Sequence, residues 1–137
     1  MNSIKSTVIS LPLLAVAALF AGDAAASTIP ATAGNPYHGV DTCFTESDAG
    51  VKSNCTSAAW FVIPVIWNDA FTHSVTANFS SGVQCWYWEI DAAGNPVTTG
   101  NGIALATTAN ITPGLGHYGK VQCLVNAGRW VYGVNIV

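Results

Sequence analysis

The segment FTHSVTANFSSGVQCWYWEID, residues 71–91, contains the clearest strand pattern in the sequence. From Phe71 to Phe79, apolar residues and one histidine occupy every second position, with Thr, Ser and Asn between them. Because successive side chains of a strand point to opposite faces, this alternation predicts a β-strand with one buried face. The polar turn Ser80–Gly82 then leads into a second predicted strand over Val83–Asp91.

Two segments on either side of this pattern also predict strands. Ala58–Trp67 is a continuous apolar run that is rich in β-branched and aromatic residues, which predicts a buried strand. Pro64 within this run predicts a bulge or an edge position, because proline cannot donate to a strand ladder. Ile103–Ile111, rich in Thr and Ala, predicts one further strand.

The end of the chain predicts two strands, Tyr118–Val125 and Arg129–Val137, joined as a hairpin by Asn126–Gly128. The Thr-, Ala-, Gly- and Pro-rich segment Ser27–Asn35 predicts a mobile lead-in. Repeated short strands with frequent turn residues and no convincing helix predict an all-β domain. We expect a small antiparallel β-sandwich, immunoglobulin-like or jelly-roll, that is stapled by disulfides.

The first 26 residues have the pattern of a secretion signal. Lys5 precedes an apolar run from Val8 to Ala21, and the small residues before Ser27 offer a signal-peptidase site after Ala26. This run is shorter than the roughly 20 residues that a membrane-spanning helix needs. We therefore expect a secreted single domain over residues 27–137, extracellular or periplasmic.

Four cysteines follow the predicted signal, and an even number in an oxidising compartment predicts two disulfides. We favour Cys43 with Cys55, which would close the polar loop between them. Cys85 and Cys123 lie in two matching Val-Gln-Cys tripeptides, and their positions on strands predict a bridge across the core.

Charge excludes several classes of partner. Charged residues make up 8% of the chain, and the formal net charge is −3. After the predicted signal the only cations are Lys52, Lys120 and Arg129, too few for a phosphate-binding track. Nucleic acid and anionic membranes are therefore poor partners. The apolar run Ala58–Trp67 is too short to span a membrane in the mature chain.

Catalytic signatures are missing from the sequence, which has no G-x-S-x-G elbow, phosphate-binding loop or H-E-x-x-H motif. His73 lies on the apolar face of its predicted strand, which favours a hydrogen-bonded core or interface histidine over a general base. His38 and His117 lie in predicted turns, which favours exposed loop residues. We therefore predict that the protein is not an enzyme.

The carboxylates allow two alternatives, both of low weight. Glu89 facing Asp69 or Glu46 across a groove would form a glycosidase pair, although the position of Glu89 near a strand end also suits a residue leaving the core. Asp41, Glu46 and Asp48 could offer oxygen ligands to calcium, but the EF-hand pattern is missing. We predict no metal and no cofactor.

The aromatic residues give the sharpest functional signal, because the chain contains five tryptophans. If Cys85 faces the core, Trp86 and Trp88 point away from it, roughly 7 Å apart along the strand. Adjacent indoles suit the apolar face of a sugar ring, and nearby amides suit its hydroxyl groups. The polar and aromatic side chains that we expect beside this platform are Gln84, Gln122 and Tyr118.

Other tryptophans have a structural interpretation. Trp60, Trp67 and Trp130 are expected in the core, and Trp130 shares its predicted face with Tyr132. Trp86 and Trp88 could likewise cover a second sheet or a subunit interface.

These observations predict a secreted, non-catalytic binding module whose ligand is a carbohydrate or cell-surface glycan. The alternative is a self-assembling surface or fibre subunit, or an adhesin, because the apolar strand Trp130–Val137 would offer an unguarded edge. An inhibitor or toxin of another protein and a small hydrolase have less support.

Overall fold

The computed structural model describes residues 26–37, 41–67, 69–98 and 102–137. Two antiparallel sheets form a small β-sandwich, as predicted, and no α-helix occurs in these ranges. The strands are β1 Ser27–Pro30, β2 Asn35–Pro36, β3 Phe44–Ser47, β4 Gly50–Ser53, β5 Ala59–Ile66, β6 His73–Phe79, β7 Val83–Ile90, β8 Ile103–Ala104, β9 Ala109–Ile111, β10 Tyr118–Val125 and β11 Trp130–Ile136. Short 3-10 turns span Ala31–Ala33 and Asp41–Cys43.

The six-stranded sheet has the order β3-β4-β11-β6-β9, and β1 also pairs with β11. The five-stranded sheet has the order β2-β5-β10-β7-β8. Alternate residues of the long strands are buried between the sheets. The largest fully buried side chains include Tyr87, Phe61, Ile63, Val75, Val121 and Val131.

The turn after β10 joins the two sheets instead of closing a hairpin. β10 belongs to the five-stranded sheet and β11 to the six-stranded sheet, so the predicted hairpin is wrong. The turn itself forms, since the Arg129 N–H donates to the Asn126 carbonyl at 3.1 Å. The Gly128 N–H donates to the Ser53 carbonyl of the six-stranded sheet at 2.7 Å, which directs the chain there.

The predicted strand Ile103–Ile111 is two short strands. β8 pairs with β7 in one sheet, and β9 pairs with β6 in the other. Phe71 is also placed differently from its prediction, because β6 begins at His73 and Phe71 is 76% exposed. Val75 and Ala77 of the same alternation are buried as predicted.

The expected mobile lead-in forms strands. β1 pairs with β11 from Ser27 opposite Ile136 to Pro30 opposite Gly133, and β2 pairs with β5. Since β6 pairs with the other side of β11, the last strand lies inside its sheet. The expectation of an unguarded edge at Trp130–Val137 is therefore wrong.

Both predicted disulfides are present. Cys43 and Cys55 flank the β3–β4 hairpin, which replaces the predicted loop. Cys85 and Cys123 lie directly opposite each other on β7 and β10, with a Cα–Cα distance of 4.1 Å. This second bridge joins neighbouring strands of one sheet on their buried side, so the prediction that it crosses the core is wrong.

Three predictions depend on residues that lie wholly or partly outside the described ranges: the signal peptide, His38, and the side chain of Asp41. No helix in the described part of the chain has the length and hydropathy to span a bilayer.

Candidate functional site

The outer face of the five-stranded sheet carries the predicted tryptophan pair. Cys85, Tyr87 and Glu89 are buried on the inner side of β7, so Trp86 and Trp88 point outward. Both indoles are half-buried. The inward position of Cys85, on which the facing of these tryptophans depends, is confirmed.

Trp60 joins this pair and lines the same hollow. Its ring centroid lies 5.6 Å from that of Trp86, with an angle of 49° between the planes. Together with Trp88 and Gln122, the two rings line a surface hollow of about 350 Å³. The prediction that Trp60 is in the core is wrong, because Phe61, Ile63 and Val65 take the inward positions of β5. Trp67, in contrast, is buried as predicted.

Gln84 and Tyr118 lie outside this hollow. Gln84 is exposed and lines a neighbouring, mostly apolar hollow of about 280 Å³, which shares Trp86 as a wall. Tyr118 is on the outer face, at the end of β10 between Ile66 and Ile90. Of the five predicted binding residues, the structure brings together Trp86, Trp88 and Gln122.

Lys120 lies on the central strand beside the hollow. Its Cα partners are Trp88 on β7 and Pro64 on β5, and Gln122 follows it on the same face. The Lys120 ammonium is 5.6 Å from the centre of the Tyr37 ring, a cation–π contact that holds the charge over the sheet.

Gly102 packs against the indole ring of Trp88. A Cβ atom at this position would come within 2.8 Å of the indole ring, and the backbone has a φ of +72°. Both features favour glycine here. The backbone packed against Trp88 limits how far its ring can turn.

Trp130 and Tyr132 form a second aromatic pair on the other sheet. Their rings are stacked with centroids 6.5 Å apart, and Lys52 lies 5.9 Å from the Trp130 ring. Tyr132 is 43% exposed and Trp130 half-buried, so their predicted inward facing is wrong. A β-bulge between Val131 and Gly133 shifts the register of β11, with Gly133 at a φ of +152°.

Glu89, near the C-terminal end of β7, is buried, with a relative exposure of 5%. It connects this end of the strand to the loop before β10. Its Oε1 accepts the Gly114 N–H at 2.9 Å and is hydrogen-bonded to His117 Nδ1 at 2.5 Å. Its Oε2 accepts the Tyr87 hydroxyl at 3.2 Å. The interpretations of Glu89 as leaving the core and of His117 as an exposed loop residue are therefore wrong.

This hydrogen-bond chain continues inward, because Trp67 Nε1 donates to the Tyr87 oxygen at 2.7 Å. Burial raises the pKa of the Tyr87 hydroxyl well above its usual range. The phenol therefore stays protonated and continues to donate to Glu89.

Asp69 and His73 form a separate pair. His73 Nε2 is 2.6 Å from the Asp69 carboxylate, and the His73 ring stacks on Trp67, so this histidine is hydrogen-bonded as predicted. The hydrogen bond from His73 lowers the pKa of Asp69. Neither Asp69 nor Glu46, which lies on β3 of the other sheet, is hydrogen-bonded to Glu89.

No group of three or more His, Cys, Asp or Glu residues in the described ranges is arranged to hold a metal ion. Comparisons of the chain with family models, curated proteins and solved structures found no match.

Proposed function

We propose that the protein is a secreted, non-catalytic module that binds carbohydrate on the outer face of its five-stranded sheet. The hollow between Trp60, Trp86, Trp88 and Gln122 carries this proposal. Its volume of about 350 Å³ lies in the range of small-molecule sites. The two disulfides suit an oxidising compartment outside the cell.

The chemistry of the hollow supports a sugar ligand. An indole ring offers an apolar surface on which the CH face of a pyranose can pack, and the Gln122 amide offers both donors and acceptors to hydroxyl groups. The Trp60 and Trp86 rings are in contact and inclined at 49° to each other, so they offer two tilted apolar surfaces instead of one flat plane. A sugar ring can stack on the outer side of either indole.

We expect Trp86→Ala and Trp88→Ala each to weaken carbohydrate binding by at least about tenfold. A stacked aromatic contributes about 0.5 to 1.5 kcal/mol beyond the apolar area it buries, and 1.4 kcal/mol corresponds to a factor of ten in Kd. A glycan array identifies a ligand, and titrations monitored by tryptophan fluorescence then give Kd for each variant.

Trp130→Ala is the matched control, because Trp130 is a half-buried outer tryptophan of the opposite sheet. Its Kd should equal that of the wild type. A broad glycan array without a hit would refute the proposal, as would equal losses in all three variants.

A second candidate function is self-association, which exposed apolar side chains at one end of the sandwich support. Ile66 and Tyr118 are Cα partners that are 77% and 58% exposed, and Leu115 in the adjoining loop is 78% exposed. Clusters of this kind are typical of protein contact sites.

We expect the molar mass from light scattering to rise with protein concentration, and Ile66→Ser with Tyr118→Ser to abolish the rise. Tyr132→Ser, an exposed tyrosine of the other sheet, is the control that should leave the wild-type behaviour unchanged. A wild-type protein that stays monomeric at all concentrations would eliminate this candidate.

A further inference from the structure

We infer that the bound carbohydrate is acidic, and that its carboxylate or other anionic group pairs with Lys120. This inference rests on the proposed carbohydrate function and specifies the class of sugar. The residues that carry it are Lys120, Trp88 and Tyr37, together with the tryptophan hollow beside them.

The register of the sheet places the Lys120 backbone next to the residues that line the hollow. Lys120 and Gln122 are successive outward residues of β10, and β7 places Trp88 opposite Lys120 and Trp86 opposite Gln122. A sugar ring stacked on these indoles therefore lies beside the strand that carries both polar side chains. Gln122 can serve neutral hydroxyl groups, whereas the ammonium of Lys120 donates only and favours an anion.

Within the described ranges, and leaving aside the side chain of Asp41, Lys120 has no ion-pair partner. The ion pairs in these ranges are His73 with Asp69 and His117 with Glu89, and neither involves Lys120. The register places only uncharged residues beside it on the outer face of the three long strands: Trp60, Val62, Pro64, Ile66, Gln84, Trp86, Trp88, Ile90, Tyr118, Gln122 and Leu124.

This environment favours pairing with a ligand anion. Lys120 is half-buried and its ammonium is positioned over the Tyr37 ring, so less side-chain freedom is lost when an anion binds. A bound sugar would also remove water from the pair, which strengthens the attraction between the charges. The face therefore attracts an anionic group locally, although the chain as a whole has a net charge of −3.

Two acidic probes, each with a neutral match, test the inference. Trigalacturonate is compared with its methyl ester, and sialyllactose with its methyl ester, so that uronic and sialic acids are distinguished. Binding to the purified, oxidised full-length protein is measured by calorimetry. We expect the wild type to prefer at least one acidic probe over its match by about five- to tenfold, because a hydrogen bond to a charged group contributes about 1 to 1.4 kcal/mol more than a neutral one.

Lys120→Gln should remove this preference, so that the acidic and the neutral probe of each pair bind with equal affinity. Lys52→Gln is the matched control, because Lys52 makes a similar cation–π contact on the opposite sheet. It should retain the preference. Higher ionic strength should also reduce the preference in the wild type without affecting neutral binding, a test that needs no variant.

The outcomes separate the two proposals. Equal binding of acidic and neutral probes by the wild type overturns the acidic ligand and leaves the carbohydrate function standing. If Lys52→Gln also loses the preference, the preference comes from the overall charge of the protein. This result would likewise overturn the acidic ligand. If none of the four probes binds and a broad glycan array gives no hit, the carbohydrate function fails, and the inference fails with it.

Discussion

Replacing Cys85 and Cys123 together with Ala should lower the free energy of unfolding by about 2 to 5 kcal/mol. The bridge links positions separated by 38 residues, so in the chain-entropy model it removes more freedom from the unfolded chain than a short loop would. Both sulfurs also belong to the buried core, where Ala leaves unfilled space. Denaturant unfolding of the double variant measures the loss.

The Cys43–Cys55 pair provides a matched comparison, because it spans a separation of only 12 residues. Its double Ala variant should lose less stability, since β4 remains paired with β11 through Val51 and Val131. Non-reducing peptide mapping should recover the two Val-Gln-Cys tripeptides joined to each other. A greater loss from the Cys43 and Cys55 variant would show that loop length does not determine the order of the two effects.

The sequence predicted the features that depend on strand alternation. Every second residue of Val83–Ile90 is buried, and this determines the facing of Trp86 and Trp88. The same parity shows that Trp60 and Trp67 cannot both face the core of one regular strand, because they are an odd number of residues apart. Strand parity therefore predicts that one of the two side chains faces outward.

Other features depend on contacts that local patterns do not contain. A tight turn such as Asn126–Gly128 can close a hairpin or join two sheets, and hydrogen bonds to Ser53 and Gly82 determine which occurs here. The bulge before Gly133 places Trp130 and Val134 on opposite faces of β11. The apolar alternation in the sequence continues through this segment, so it gives no sign of the bulge. The burial of Glu89 depends on Gly114, which is distant in sequence.

Truncating Tyr87 to Ala should lower the free energy of unfolding by about 3 to 5 kcal/mol, the usual cost of deleting a large buried aromatic side chain. Tyr87 is fully buried, and its ring packs edge-on against Trp67. Its hydroxyl also accepts the Trp67 N–H and donates to Glu89. The truncation therefore combines a cavity with two lost hydrogen bonds.

Tyr87→Phe separates these two contributions, because the ring remains and only the hydroxyl is lost. We expect a loss of about 1 to 3 kcal/mol, since the buried Trp67 N–H is left without its acceptor and the Glu89 carboxylate loses a donor. Tyr132→Phe removes an exposed hydroxyl and should change stability by no more than about 0.5 kcal/mol. If Tyr87→Phe were equally neutral in denaturant unfolding, the hydrogen-bond chain from Trp67 to Glu89 would contribute nothing to stability, and packing of the ring alone would account for the effect of the Ala variant.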